Sequence, residues 1–249
     1  MFFKFSRCSL KLSDKIFKAP PSLALLLLSL LTKSSAEIST GLLLSRDRFG
    51  NTAIHLCAGN AGIGSIGVME SLIKAAPRAL YIQNAEGDTP LHLALSCPNI
   101  PTECISMLLT ACPEACSVKD CNGGTPLHSA IANNTSASII QKILATSPHV
   151  TSVSDNDGLL PLHYVGAFLS PKAAVVKEII SANPKAVIQQ SNDGDVPLHT
   201  AVVNSNEDKL DEEAFEILNL LVQPHDNIDP LVMTNKEKVS FWNNTNFLY

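Results

Sequence analysis

A short motif ending in Leu-His or Ile-His returns five times at a nearly constant interval. That interval constrains the fold more than any other feature of the chain. The copies are Asn51-Thr52-Ala53-Ile54-His55, Asp88-Thr89-Pro90-Leu91-His92, Gly124-Thr125-Pro126-Leu127-His128, Leu159-Leu160-Pro161-Leu162-His163 and Asp195-Val196-Pro197-Leu198-His199. Successive histidines lie 37, 36, 35 and 36 residues apart. A fixed period of this size marks a stack of small units, each burying its apolar face on its neighbours. A single large core is then unnecessary, although 249 residues would be enough for one.

Each unit keeps the same internal order, and the fourth shows it well. Asp155-Asn156-Asp157-Gly158 is a tight-turn sequence, since Asp and Asn suit turns and Gly accepts positive φ. Pro161 suits a first helical turn, where a missing N–H costs nothing. The pattern predicts a short helix to about Phe168, a turn at Leu169-Ser170-Pro171, and a second helix over Lys172–Ala182. On that second helix Val175, Val176, Ile179 and Ile180 share a face. Asn183-Pro184 ends it, because the residue before Pro avoids α geometry. Lys185–Gln190 is expected to run on extended to the next turn. A second signature stays in phase with the first: Pro77-Arg78-Ala79, Pro113-Glu114-Ala115, Pro148-His149-Val150 and Pro184-Lys185-Ala186.

The full pattern, Gly-x-Thr-Pro-Leu-His-x-Ala after an Asp- or Asn-led turn, resembles the ankyrin repeat. The closest copies run from Gly87 to Ala94 and from Gly123 to Ala130. The resemblance spans roughly residues 41–222 in five copies, with a faint sixth start at Asn235–Ser240. It implies an all-α helical-repeat solenoid of helix-turn-helix units joined by hairpin-like turns. Two copies lack the motif threonine, having Leu160 and Val196 in its place, and Ala53 replaces proline in the first copy. A threonine there caps a free helix N–H, so repeats four and five are expected to rely more on packing than on capping.

The histidines invite a chemical reading, since histidine is the commonest base and metal ligand. Equivalent positions in stacked units, about 10 Å apart, are too far apart to share a metal ion whose bonds are about 2 Å. By resemblance, His55, His92, His128, His163 and His199 are structural, bonding within and between turns. The seven cysteines form no C-x-x-C pair and make a poor zinc pattern. The run Gly59–Gly67 mimics a phosphate loop, but it has no lysine and comes after a helix rather than a strand. No G-x-S-x-G elbow is present. We therefore expect no catalytic residues, no metal, no cofactor and no small-molecule substrate.

Residues 1–36 form a separate domain in this reading. Lys4, Arg7, Lys11, Lys15, Lys18 and Lys33 stand against Asp14 alone, and an apolar run extends from Leu23 to Leu31. Nine residues are too few to cross a bilayer as a helix. Three readings fit: a secretory signal, an organelle presequence, or the second helix of an incomplete first repeat capping the stack. Residues 37–222 form the repeat array and 223–249 a degenerate repeat or tail. Beyond residue 36 the chain carries 12 basic and 22 acidic residues, which argues against nucleic acid as a partner. The acidic run Glu207–Glu216 fits a terminal helix with one solvated face. The sequons at Asn133, Asn134 and Asn243 matter only if the chain is exported.

The resemblance implies a scaffold or adaptor that binds protein partners through turn tips and a concave face of first helices. The variable positions there are Arg48, Phe49, Glu86, Asn122, Asp157 and Asp193 at the tips. On the first helices they are Leu56, Leu93, Ser129, Tyr164 and Thr200. Tyr164 stands out because aromatics concentrate at interaction hot spots. A cytoplasmic location is expected, with the secretory pathway or an organelle as the alternative if residues 1–36 act as a signal. Membrane contact arises only in that case. Two further alternatives are a membrane-tethered or exported module and a regulatory fragment of a larger enzyme.

Overall fold

The structure is a computed structural model. It describes residues 41, 43–60, 66–168, 172–204, 212–223 and 230–232. The expectations for residues 1–36, for most of the Gly59–Gly67 loop, for 207–211 and for the faint sixth start lie outside these residues. Ten α-helices lie wholly within the described residues, and no strand is found among them. The chain divides into two compact units, Met1–Asn122 and Gly123–Tyr249.

In the first unit the helices are α1 (Ala53–Ala58), α2 (Ile66–Ala75), α3 (Pro90–Ser96) and α4 (Thr102–Ala111). In the second they are α5 (Pro126–Ala132), α6 (Ala137–Thr146), α7 (Pro161–Phe168), α8 (Ala173–Ala182), α9 (Pro197–Asn204) and α10 (Glu212–Val222). The first helix of each repeat packs on the first helix of the next, and second helices pack on second helices. Thus α1 meets α3 and α2 meets α4 in the first unit. In the second unit α5, α7 and α9 form one layer, and α6, α8 and α10 the other. Each unit is therefore a two-layer helical-repeat stack.

The apolar pattern explains both layers. The residue before each signature histidine is buried: Ile54, Leu91, Leu127, Leu162 and Leu198. Second helices bury paired positions, such as Ile139 and Ile140 with Ile143 and Leu144, a spacing that puts them on one face. Each such side chain contributes about 1.5–3 kcal/mol of burial. No helix among the described residues is long and apolar enough to cross a membrane.

One expectation needs correction. Lys185–Val187 does not run extended after α8: Pro184–Val187 is a 3₁₀ turn, as are Pro77–Tyr81, Pro113–Ser117 and Pro148–Ser152. The residue before each proline leaves α geometry, with φ of −141 to −147° and ψ of 64 to 81°. Proline's fixed φ then starts a new, tighter turn. That turn places a small residue inside, namely Ala79, Ala115, Val150 or Ala186, each at most 2% exposed. The recurring Pro-x-small signature thus marks a third element of the repeat.

Candidate protein-binding surface

Each turn tip is closed by its first residue. Asp47 N–H donates to the Asn51 carbonyl at 2.9 Å, and the Asp47 carboxylate accepts from the Phe49 and Asn51 amides at 2.8 Å each. Asn84 and Asp155 close their turns in the same way, and Ser191 uses its hydroxyl. The glycine ending each turn is needed for two reasons. Gly87 and Gly158 hold φ of +77° and +76°, a region costly for residues with a Cβ. A Cβ on Gly87 would also lie 2.6 Å from the Cys121 nitrogen, and one on Gly158 would lie 2.7 Å from the Asn192 nitrogen.

Such close approach lets tips bond to tips. In the first unit Ala85 N–H donates to the Phe49 carbonyl and Cys121 N–H to the Glu86 carbonyl, both at 2.9 Å. In the second unit Asn192 N–H donates to the Asp157 carbonyl at 2.9 Å. Phe49, Glu86 and Asn122 thus sit on successive linked tips of one unit, and Asp157 and Asp193 on linked tips of the other. Arg48, Asn122, Asp157 and Asp193 are exposed, while Phe49 and Glu86 are half-buried. The Arg48 guanidinium lies 4.6 Å from the centre of the Phe49 ring.

The first-helix positions divide differently. Leu56, Ser129 and Tyr164 are half-buried. Leu93 and Thr200 are buried, at 8% and 2% exposure, so their side chains are not offered to a partner. The position after the histidine faces the preceding repeat, which explains both. The Thr200 hydroxyl donates toward the carbonyls of Pro197 at 2.7 Å and His163 at 3.1 Å, bridging α9 to α7. Tyr164 is also tied internally: its hydroxyl donates to the Asp155 carboxylate at 2.9 Å, and its ring meets His128 edge-on at 5.0 Å. It braces the turn at 155–158. Sequence reasoning missed Val203, which is 61% exposed on α9. The available signal was a bulky apolar residue four places past the histidine, where the other copies hold Gly59, Ser96, Ala132 and Ala167.

The signature histidines are all at most 7% exposed. Each Nδ1 accepts the backbone N–H three residues earlier, at 3.0–3.2 Å, from Thr52, Thr89, Thr125, Leu160 or Val196. Where threonine is present, its hydroxyl adds a contact of 2.8–2.9 Å to the same nitrogen. Nε2 reaches the next turn stem within its unit: His55 to the Asp88 carbonyl at 3.1 Å, His128 to Leu159 at 3.2 Å and His163 to Asp195 at 2.9 Å. A carbonyl oxygen only accepts, so Nε2 carries the hydrogen in these three rings and Nδ1 keeps its lone pair. Burial holds the imidazoles of His55 and His163 down to about 4. These rings are fixed, neutral struts.

Other titratable groups add little that is chemically reactive. Burial pushes the Cys57 thiol up to about 12, far from a reactive thiolate. Burial, with the charges of Asp120 and Glu86, raises Asp88 to about 7. Among the described residues no group of three or more His, Cys, Asp or Glu side chains could hold a metal ion.

Buried, uniform struts beneath linked, variable tips define a helical-repeat protein. A family model described as ankyrin repeats, in three copies, matches residues 61–151. Over those residues the chain is similar to the ankyrin-repeat family. The search of curated proteins found no match. Among solved structures, a chain from "Bd0816 Predatory Endopeptidase from Bdellovibrio bacteriovorus in complex with immunity protein Bd3460" is similar. Its TM-score is 0.55 at 20% identity, over 72% of this chain and 84% of that one. At that identity the likeness is one of fold.

Proposed function

We propose that the protein is a non-catalytic adaptor that binds partner proteins through its turn tips. Ankyrin repeats generally mediate protein–protein interaction. The observation that carries the reading is the division of labour within each repeat. Positions shared by all copies are buried and bonded, whereas the positions that vary (Arg48, Asn122, Asp157 and Asp193) stand exposed on braced tips. Rigid tips lose little freedom on binding, which favours affinity. The similar solved chain comes from a complex of two proteins, which fits this use of the fold. The test is a pull-down with the Asp157→Ala/Asp193→Ala variant beside Lys142→Ala on α6. Loss of partners from the tip variant alone supports the proposal; unchanged recovery from both removes the tips from it.

A second reading concerns location. The basic and apolar composition of residues 1–36 supports a tethered or exported module. Fusing those residues to a fluorescent reporter tests it, and a diffuse cytosolic signal would reject it.

A further inference from the structure

Three of the struts join repeats through Nε2 while Nδ1 accepts an amide, as only a neutral ring can, and His55 and His163 are two of them. In the first unit His55 is seated by the Thr52 amide on Nδ1 and grips the Asp88 carbonyl through Nε2. In the second His163 is seated by the Leu160 amide and grips the Asp195 carbonyl. Those carbonyls are the stems of the next turn tips, since the Asn84 and Ser191 amides donate to them at 2.9 and 2.8 Å. A protonated imidazole has two N–H groups and no lone pair. Its new Nδ1–H would then point at a backbone N–H, donor against donor, in a buried place. At His55 the Thr52 hydroxyl, 2.8 Å from Nδ1, can turn to accept it, whereas at His163 residue 160 is leucine and offers none, so His163 is the more strained of the two when charged.

We infer that His55 and His163 are acid-released joints: protonation at Nδ1 expels the ring from its seat and frees the turn stem it holds. The ring must leave to be solvated, and its Nε2 bond to the stem leaves with it. The charged groups facing each ring bear on this. His55 is faced by Arg46 and Asp47 of the preceding turn, whose effects oppose one another. His163 is faced by His199 on α9, and the Asp195 carboxylate lies 3.9 Å from the Nδ1 of His199. A positive charge on His199 would oppose protonation of His163. Burial already depresses both joints from 6.5 to about 4. Such a shift raises the population of the open joint about twentyfold between pH 7 and pH 5. If the adaptor reading is right, the freed stems carry Glu86 and Asp193 with them, so partners are released in mildly acidic surroundings.

Amide hydrogen exchange on the full chain without any partner tests the joints independently of binding. After correction for intrinsic rates, protection at Thr52 and Leu160 is expected to fall about twentyfold from pH 7 to pH 5. Protection at Leu108 in α4 and Ile143 in α6 should stay higher than at Thr52 and Leu160 at both pH values, because the joints open without global unfolding. Equal protection at all four amides would mean that only global unfolding exposes them and would overturn the inference, as would no fall at Thr52 and Leu160. His163→Gln, which cannot be protonated, should remove the pH dependence at residue 160 and leave that at Thr52. If that variant fails to fold, nitrogen NMR of the wild-type rings decides. Titration of His55 and His163 must coincide with loss of the Thr52 and Leu160 amide bonds, and titration with those bonds intact would refute the joints.

Discussion

Replacing Gly166 by alanine should destabilise the protein although the residue lies inside a helix. Alanine is normally favoured over glycine there by about 1 kcal/mol. On α7, however, a Cβ at this position would fall on the Pro197 carbonyl oxygen and 2.5 Å from Thr200 Oγ1, with the Ala201 nitrogen at 3.1 Å. Ordinary carbon contacts are about 3.5–4.0 Å. The first obstacle is backbone, so α7 and α9 must move apart. Overpacking of this kind costs about 1–3 kcal/mol. Separation also breaks the Thr200 bridge to the His163 carbonyl, worth about 0.5–1.5 kcal/mol. Against the helix gain, the net loss is about 2 kcal/mol, or about 4–8 °C in Tm for a chain of this size. Gly67→Ala is the matched control. Gly67 lies on α2 with nothing within 4 Å of its virtual Cβ, so stability should rise by about 0.5–1 kcal/mol. Calorimetry of both variants decides the matter. A Gly166→Ala protein as stable as wild type would refute the claim that α7 and α9 pack backbone to backbone.

Three further outcomes are expected from the buried polar groups. Val196 is buried beside His199, so Val196→Thr supplies the hydroxyl present at Thr52, Thr89 and Thr125; thermal melting should show a gain of about 0.5–2 kcal/mol. His55 and His163 have folded values depressed to about 4. Their stabilising contribution is complete above 6.5 and is lost as pH falls toward 4. Urea titrations should show up to about 2 kcal/mol lost per histidine between pH 7 and pH 5, and less in His163→Gln. Asp88 behaves oppositely, because its folded value is raised to about 7. Its neutral form is favoured, so stability falls as pH rises through 7. Asp88→Asn should then stabilise at pH 8 by on the order of 1–3 kcal/mol, discounted for partial solvent access, and little at pH 4.

The repeat period, the helix pairs and the turn tips were legible because each rests on local chemistry repeated in phase. Gly, Pro and the Leu-His pair act within a few residues of themselves, so their meaning survives without tertiary knowledge. The 3₁₀ turns were less legible. A proline after a helix signals a stop, but the backbone beyond it tightens only where a small residue can be tucked inside, as Ala186 is. The contact positions were hardest, because exposure depends on what the neighbouring repeat places opposite. Thr200 matches Ser129 in its repeat position, yet Gly166 lets α7 close over it. Tyr164 was legible as unusual, but its bond to Asp155 was not. Val203 is exposed for the converse reason, a large side chain where its counterparts are small.

The central claim is that partners meet the turn tips rather than the second-helix face. Site-specific photo-crosslinking tests it most directly, with a benzophenone amino acid placed in turn at Asp157, Asp193 and Lys142 and activated in living cells. The account predicts discrete crosslinked protein species from Asp157 and Asp193 and none from Lys142 on α6. Crosslinks that form at Lys142 and are absent from both tip positions would contradict it.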